Sequence, residues 1–366
     1  MNCPYFFKKI MSIKIDGNYG EGGGQILRTA LALSCVLQKE IEIYNIRKGR
    51  KVPGLQAQHL TCVKAAQSIS EAEVEGDRLQ SQILKFCPKK IKGGNLFFDV
   101  GTAGSVCLVM QSIIIPLSLA DAPSELRLKG GTHVPFSPPV TCFQKVLFPI
   151  LNSLGLNLSM EIKRWGWYPK GGGEVICQVK PVERIKPLNL IERGKLLKVS
   201  GLSVVSNLPL SVAQRQKQEA ERILSEFVVK TQNRGSVGKE NNFDLETEIL
   251  DAPSIGKGTF FFLLASFENS LAGFSSLGAL GKRAEQVSDE ACKAFLDFMN
   301  TSGAVEEHLA DQLIPFLALA NSESNFSVSR ISQHLLTNIW VVQQFLPVKI
   351  IVEGEEKQPG KIKIIP

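Results

Sequence analysis

Asp16-Gly17-Asn18-Tyr19-Gly20-Glu21-Gly22-Gly23-Gly24-Gln25-Ile26-Leu27-Arg28 joins a short alternating run (Ile13, Ile15) to a segment with apolar residues at helical spacing (Ile26, Ala30, Leu33, Leu37). A change of hydrophobic period from two to 3.6 across a glycine loop marks a strand feeding a helix. The glycines let backbone N–H groups converge, and the helix start adds unpaired donors and a positive dipole end. Such a loop can hold phosphate, Glu21 can hold a divalent metal, and Arg28 can neutralise remaining charge. A plain tight turn before a helix is the competing reading of any lone glycine loop.

The theme recurs. Asp99-Val100-Gly101-Thr102-Ala103-Gly104-Ser105 leads into Val106–Leu119, and Lys129-Gly130-Gly131-Thr132-His133 is followed by Phe143–Leu154. From Met11 to about residue 185 the chain therefore reads as a repeated α/β unit. Residues 187–277 differ. A strand pattern over Leu197–Ser206, a charged amphipathic helix over Ala213–Phe227, a polar loop over Lys230–Asn242 and alternation at Phe243, Leu245, Thr247 and Ile249 suggest a small inserted α/β module. Ala284–Met299, Val305–Ala320 and Ser332–Leu346 read as helices, and Val348–Val352 and Lys361–Ile365 as strands. The expected division is a discontinuous core, 11–186 with 278–366, around an insert at 187–277.

A length of 366 residues predicts two to three domains, and 44% hydrophobic with 21% charged residues is globular composition. The net charge of +7 favours an anionic partner such as a nucleotide or nucleic acid. The eight cysteines form no C-x-x-C pair, which argues against zinc ribbons and redox dithiols. Most read as buried thiols in a reducing compartment. No secretory signal is visible, Met11 is an alternative start, and Val106–Ala120 is too short and too polar to span a bilayer. The expectation is a soluble protein with no membrane partner, cytoplasmic or, in a eukaryote, also nucleoplasmic.

Four histidines can be weighed one by one. His59 shares a helix face with Leu55 and Val63, where a hydrogen-bonded core histidine is the first reading and a ligand the second. His133 follows a glycine loop and is expected at a solvated or substrate-edge position. His308, Asp311 and Gln312 fall along one helix face beside an apolar stripe. That trio is either a solvated face or a reader of nucleoside hydroxyls and base edges. Ser332 is a plausible N-cap, which sets His334 in a first helical turn, where the dipole disfavours imidazolium and suits a nucleophile. From spacing alone a structural histidine stays slightly ahead. Arg47-Lys48-Gly49-Arg50-Lys51 and Lys89, Lys90, Lys92 could meet a phosphodiester backbone. Lys163-Arg164-Trp165-Gly166-Trp167-Tyr168-Pro169-Lys170 could meet unpaired bases or pack on the core. No G-x-x-x-x-G-K-[ST] exists, so a P-loop is excluded.

Seven blocks together resemble the RNA 3′-terminal phosphate cyclases: Asp16–Arg28, Arg47–Leu60 (RKGRKVPGLQAQHL), Gly101–Gln111 (GTAGSVCLVMQ), Lys129–Pro139 (KGGTHVPFSPP), Tyr168–Glu174 (YPKGGGE), His308–Gln312 (HLADQ) and His334–Asn338 (HLLTN). The resemblance runs from about Met11 to the end. It implies an α/β (α+β) fold of repeated βαβαββ-type units with one inserted small domain. It also implies ATP-dependent conversion of an RNA 3′-phosphate to a 2′,3′-cyclic phosphodiester through a covalent histidine–AMP and an RNA-adenylate, a ligase-type nucleotidyl transfer. By motif position the nucleophile falls on His334 and the metal carboxylate, for Mg²⁺ or Mn²⁺, on Glu21. The ATP pocket falls on Arg28, Gln111, Pro138, His308, Asp311 and Gln312. Arg47 and Arg50, on a basic loop after a strand, are expected to hold the RNA end, with Gln58. The chain departs from the family at His308, where tyrosine is common, and at Gly278-Ala279-Leu280-Gly281, which lacks an expected charged pair. Two rivals are a non-adenylating cyclase-like RNA-binding or cleaving factor of ribosome assembly, and an enolpyruvyl transferase on the shared fold. The presence of His334 favours the cyclase.

Overall fold

The computed structural model describes residues 12–233 and 244–366. The question of a Met1 or Met11 start, Phe243 and most of the stretch Lys230–Asn242 lie outside them. The described chain is built on one unit used three times. The first comprises β1 (Ile13–Asp16), α1 (Gly24–Leu37), β2 (Ile41–Tyr44), α2 (Ala57–Ser70), β3 (Glu73–Glu75) and β4 (Leu84–Cys87). Its strands lie in the order β1-β2-β4-β3, with β1 and β2 parallel and the other pairs antiparallel.

The second unit comprises β5 (Gly94–Asp99), α3 (Val106–Ser118), β6 (Ser124–Gly130), a helical run, β7 (Asn157–Arg164) and β8 (Gly173–Lys180). The run consists of α4 (Val140–Cys142), a π-helical segment (Phe143–Leu147) and α5 (Phe148–Ser153). Its strand order, β5-β6-β8-β7, repeats the first, again with only the leading pair parallel.

The third unit begins with β9 (Asn189–Leu190) and is then interrupted. The interruption holds β10 (Leu196–Ser206), α6 (Leu210–Asn233), β11 (Asp244–Asp251), β12 (Gly258–Phe267), β13 (Leu271–Leu277) and α7 (Ala284–Met299). The unit resumes with α8 (Glu307–Leu317), β14 (Ser324–Val328), α9 (Gln333–Phe345), β15 (Lys349–Glu353) and β16 (Gly360–Ile365). Its order, β9-β14-β16-β15, is the same once more, with β9 and β14 parallel. This is the α/β architecture that the glycine-loop repeats implied, in the βαβαββ-type units that the family resemblance implied.

Packing sets limits that differ from the pattern-based bounds. The apolar face of α7 (Val287, Ala291, Cys292, Phe295, Phe298) joins Ala220 and Leu224 of α6 and Phe261, Leu263 and Phe274 of the β11-β10-β12-β13 sheet in a second buried cluster. The module that packs as one thus includes α7, beyond residue 277, while β9, after residue 187, belongs to the third core sheet. Helix α6 also reaches Asn233, into a stretch expected to be loop. The main core centres on α1, which contacts α2, α3 and α9 and buries Ile26 through Cys35 except at Arg28. A helix this apolar around its circumference needs neighbours on every side. No described helix is long and apolar enough to cross a membrane.

Candidate active site

The glycine loop between β1 and α1 is pressed against α9. Gly20 has φ +54°, and a Cβ there would stand 2.5 Å from Thr337 Oγ1. Only glycine allows both the left-handed backbone and this approach. Tyr19 stacks on Trp340 with ring centroids 3.9 Å apart. These contacts carry Glu21 to the first turn of α9, where Ser332 Oγ accepts the Leu335 N–H at 3.1 Å as N-cap. Glu21 Oε2 lies 2.6 Å from His334 Nδ1.

A second group meets the same nitrogen. Gln25 Oε1 is 3.0 Å from His334 Nδ1, while Gln25 Nε2 donates to Asp311 Oδ2 at 2.6 Å. The carboxylate of Asp311 thus fixes which end of the Gln25 amide faces the ring. With Gln25 Oε1 accepting at Nδ1 and the Glu21 carboxylate in ion contact beside it, the proton resides there, and the neutral ring keeps its lone pair on Nε2. Asp311 is itself set by α9: Asn338 Nδ2 donates to the Asp311 carbonyl at 2.6 Å, and Thr29 Oγ1 donates to Asn338 Oδ1 at 2.6 Å.

The His334 ring beside it holds the Glu21 carboxyl below its ordinary pKa, and Glu21 in turn raises that of His334. Glu21 thus works against the helix terminus, which was expected to keep the ring neutral. A carboxylate at 2.6 Å outweighs the partial charge of a helix end. Burial pushes Asp311 up to about 6 and the N-cap of α8, Glu306, up to about 7.

Arg28 donates from Nε to Gln111 Oε1 at 2.9 Å, and Gln111 Nε2 donates to Gln312 Oε1 at 3.2 Å. Arg28 lines the cleft, with the carboxylates of Asp311 and Glu21 close enough to act on its charge. His59 lies beneath it. Its Nδ1 accepts the Gln56 N–H at 3.1 Å, and desolvation, with Arg28 and Arg47 nearby, drops its pKa to about 3. A Cβ on Gly24 would come within 2.4 Å of His59 Nε2 and 2.9 Å of Arg28 Nη1. Arg50 Nη2 bonds Glu21 Oε1 at 3.1 Å and the Glu21 carbonyl at 2.9 Å. Arg47 Nη1 donates to the Val52 and Gly54 carbonyls at 2.9 and 2.8 Å, closing its own loop. Gln58 Oε1 accepts the Ser105 N–H at 2.7 Å, tying α2 to the second glycine loop.

All of these open on one cleft of about 1290 Å³, which Pro138, His308 and Gln312 also line. Every site residue expected from the motifs meets there. The cleft is roomy enough for a nucleotide together with part of a second substrate. Glu21, Arg28 and the helix starts at Gly24 and Gln333 give it the carboxylate, cation and donors that a metal-bound polyphosphate would need.

The family model described as RNA 3′-terminal phosphate cyclase matches residues 19–352. A protein of Nostoc punctiforme named RNA 3′-terminal phosphate cyclase is 42% identical over 352 residues, covering 94% of this chain and 97% of its own. Namesakes in Ignicoccus hospitalis and Methanopyrus kandleri are each 40% identical over 356 residues, covering 96% and 97% of this chain and 98% and 99% of theirs. The chain belongs to the RNA 3′-terminal phosphate cyclase family.

Within this cyclase-family fold several expectations need correction. His133 is neither solvated nor at a substrate edge. It is 1% exposed, its ring stacks on Trp165 at 4.0 Å, and Thr132 and Thr141 bond its two nitrogens at 2.8 Å each. Trp165 and Trp167 are core residues, and of that segment's aromatic rings only Tyr168 is exposed. Lys89, Lys90 and Lys92 pair with Glu73, Asp121 and Glu71 away from the cleft. His59 is a buried, hydrogen-bonded histidine that also floors the cleft. Gln25 and Asn338 complete the His334 network without any motif-level signal beyond their places in the matching blocks, and Thr29 falls just past the end of the first block. Arg330 and Lys357 also line the cleft, and nothing in the sequence marked them.

Proposed function

We propose that this chain is an ATP-dependent RNA 3′-terminal phosphate cyclase with His334 as its nucleophile. The observation that carries this reading is the hydrogen bond of Nδ1 to the Gln25 amide oxygen, with the Glu21 carboxylate in ion contact beside it, which directs the lone pair to Nε2. Nε2 attacks the α-phosphorus of ATP, the bond to the bridging oxygen breaks, and pyrophosphate leaves. The ring is then a phosphoramidate whose charge Glu21 balances through Nδ1. A 3′-phosphate oxygen of RNA displaces His334 to give RNA-adenylate. The neighbouring 2′-hydroxyl then attacks the same 3′-phosphorus, losing its proton as AMP departs, and closes the 2′,3′-cyclic phosphodiester.

In this reading Gln111, Pro138, His308, Asp311 and Gln312 bind the nucleoside, and Arg28 its phosphates. Arg50, with Gln58 and Arg47 shaping the surface, receives the RNA end. Glu21 would hold Mg²⁺ or Mn²⁺, which supplies charge neutralisation of the triphosphate. The test is covalent labelling with α-labelled ATP and metal. Wild type should give an acid-labile, base-stable adduct, and His334→Ala and His334→Asn should give none. A labelled His334→Ala protein, or a peptide map placing AMP elsewhere, sinks the mechanism.

A further inference from the structure

We infer that Phe136 is a stacking platform for an unpaired base at the 3′ end of the RNA, which makes frayed or single-stranded ends the preferred substrate class. This rests on the cyclase reading above. Phe136 lines the cleft with its side chain wholly in solvent, at 103% relative exposure. Its backbone has φ +61°, a left-handed conformation that a bulky residue adopts only when its surroundings enforce it. Those surroundings are rigid. His133 is clamped between Thr132 and Thr141, Val140 N–H donates to the Thr132 carbonyl at 3.0 Å, and Ser137 Oγ donates to the Val134 carbonyl at 3.1 Å.

A firm base thus holds a strained residue so that an aromatic ring points into water, where it buries nothing. That arrangement contributes nothing to folding, so its use is in binding. Exposure falls from Phe136 through Ser137–Pro139 to buried Val140, so Phe136 is the outermost residue of this wall. A base at Pro138 lies deeper, and a polymer entering from solvent passes Phe136 first. Arg50 on the same cleft supplies charge for the terminal phosphate. Stacking on an aromatic ring tolerates any base but requires it to be unpaired.

Binding of 3′-phosphorylated RNA, with its last nucleotide either free or base-paired, can be followed by fluorescence anisotropy without turnover. Phe136→Ala and Phe136→Gly should each weaken binding of the free end by about tenfold and erase its advantage over the paired end. Phe136→Trp should preserve both. The loss in RNA binding should exceed any loss in covalent labelling by ATP. Unchanged RNA binding in both truncations overturns the inference. So does weakening in Phe136→Ala alone, which would assign the effect to backbone geometry, or an equal loss of labelling, which would assign the ring to ATP. Failure of the wild-type protein to label refutes the cyclase reading instead, and the binding measurements still report on Phe136.

Discussion

At the scale of single residues, the His334–Glu21 contact sets the pH response. Protonation of Nε2 blocks attack, so labelling should rise with pH through the raised pKa of His334. Glu21→Gln removes the charge that raises it, so the rising limb should move to lower pH, and the yield should fall if Glu21 is the metal carboxylate proposed above. Initial labelling rates between about pH 5 and 8 check this, and an unmoved limb contradicts the pairing. The pair also contributes stability only while both partners are charged. That contribution fades as pH falls through the lowered Glu21 pKa and as it rises through the raised His334 pKa. His308 has a side chain 73% exposed at the cleft rim, which leaves its ring face available. His308→Tyr should keep or tighten ATP binding, and His308→Ala should weaken it by roughly 1 kcal/mol. Equal dissociation constants for the three proteins would remove His308 from the base.

At the scale of elements, the start of α1 is the tightest joint. Gly24→Ala would drive a methyl group into His59 and Arg28, both partly fixed by other bonds. A loss of about 1–3 kcal/mol in unfolding free energy is expected, with a larger drop in labelling than in folded fraction. Unchanged stability would mean that the His59 ring moves freely. The same joint shows what the sequence could reveal. The glycine loop, the Ser332 cap and the helix phases of α1 and α9 are local, and local pattern marks them. The meaning of His59 depends on α2 lying under α1, and that of His133 on Trp165, which arrives from beyond β7. The charge state of His334 depends on a carboxylate from the first loop. None of these contacts leaves a trace in nearby spacing. For α7, the amphipathic pattern announces a buried face but not which core receives it.

At the scale of the molecule, two separate apolar clusters imply two cooperative units. Calorimetry should resolve two transitions. Phe295, fully buried in the smaller cluster, is the probe: Phe295→Ala should cost that unit about 3–5 kcal/mol and leave the other transition nearly in place. A single transition that shifts as a whole would show that the clusters unfold together. The module is nonetheless part of the cleft, since Phe274, Ser275 and Phe298 line it. Melting the smaller unit should therefore loosen one wall without breaking the Glu21–His334–Gln25 contacts, which lie wholly in the larger cluster's elements.

The two-residue strand β9 reaches its partner only across the intervening module; the Leu188 N–H meets Ser324 Oγ 136 residues later. During synthesis β9 leaves the ribosome long before β14 exists, and the module has time to fold in between. Helices α8 and α9, which bring Asp311 and His334, emerge last. A nascent chain of this protein thus lacks His334 until its final quarter is made, and then the third sheet and the Glu21–His334 contact are completed in the same event.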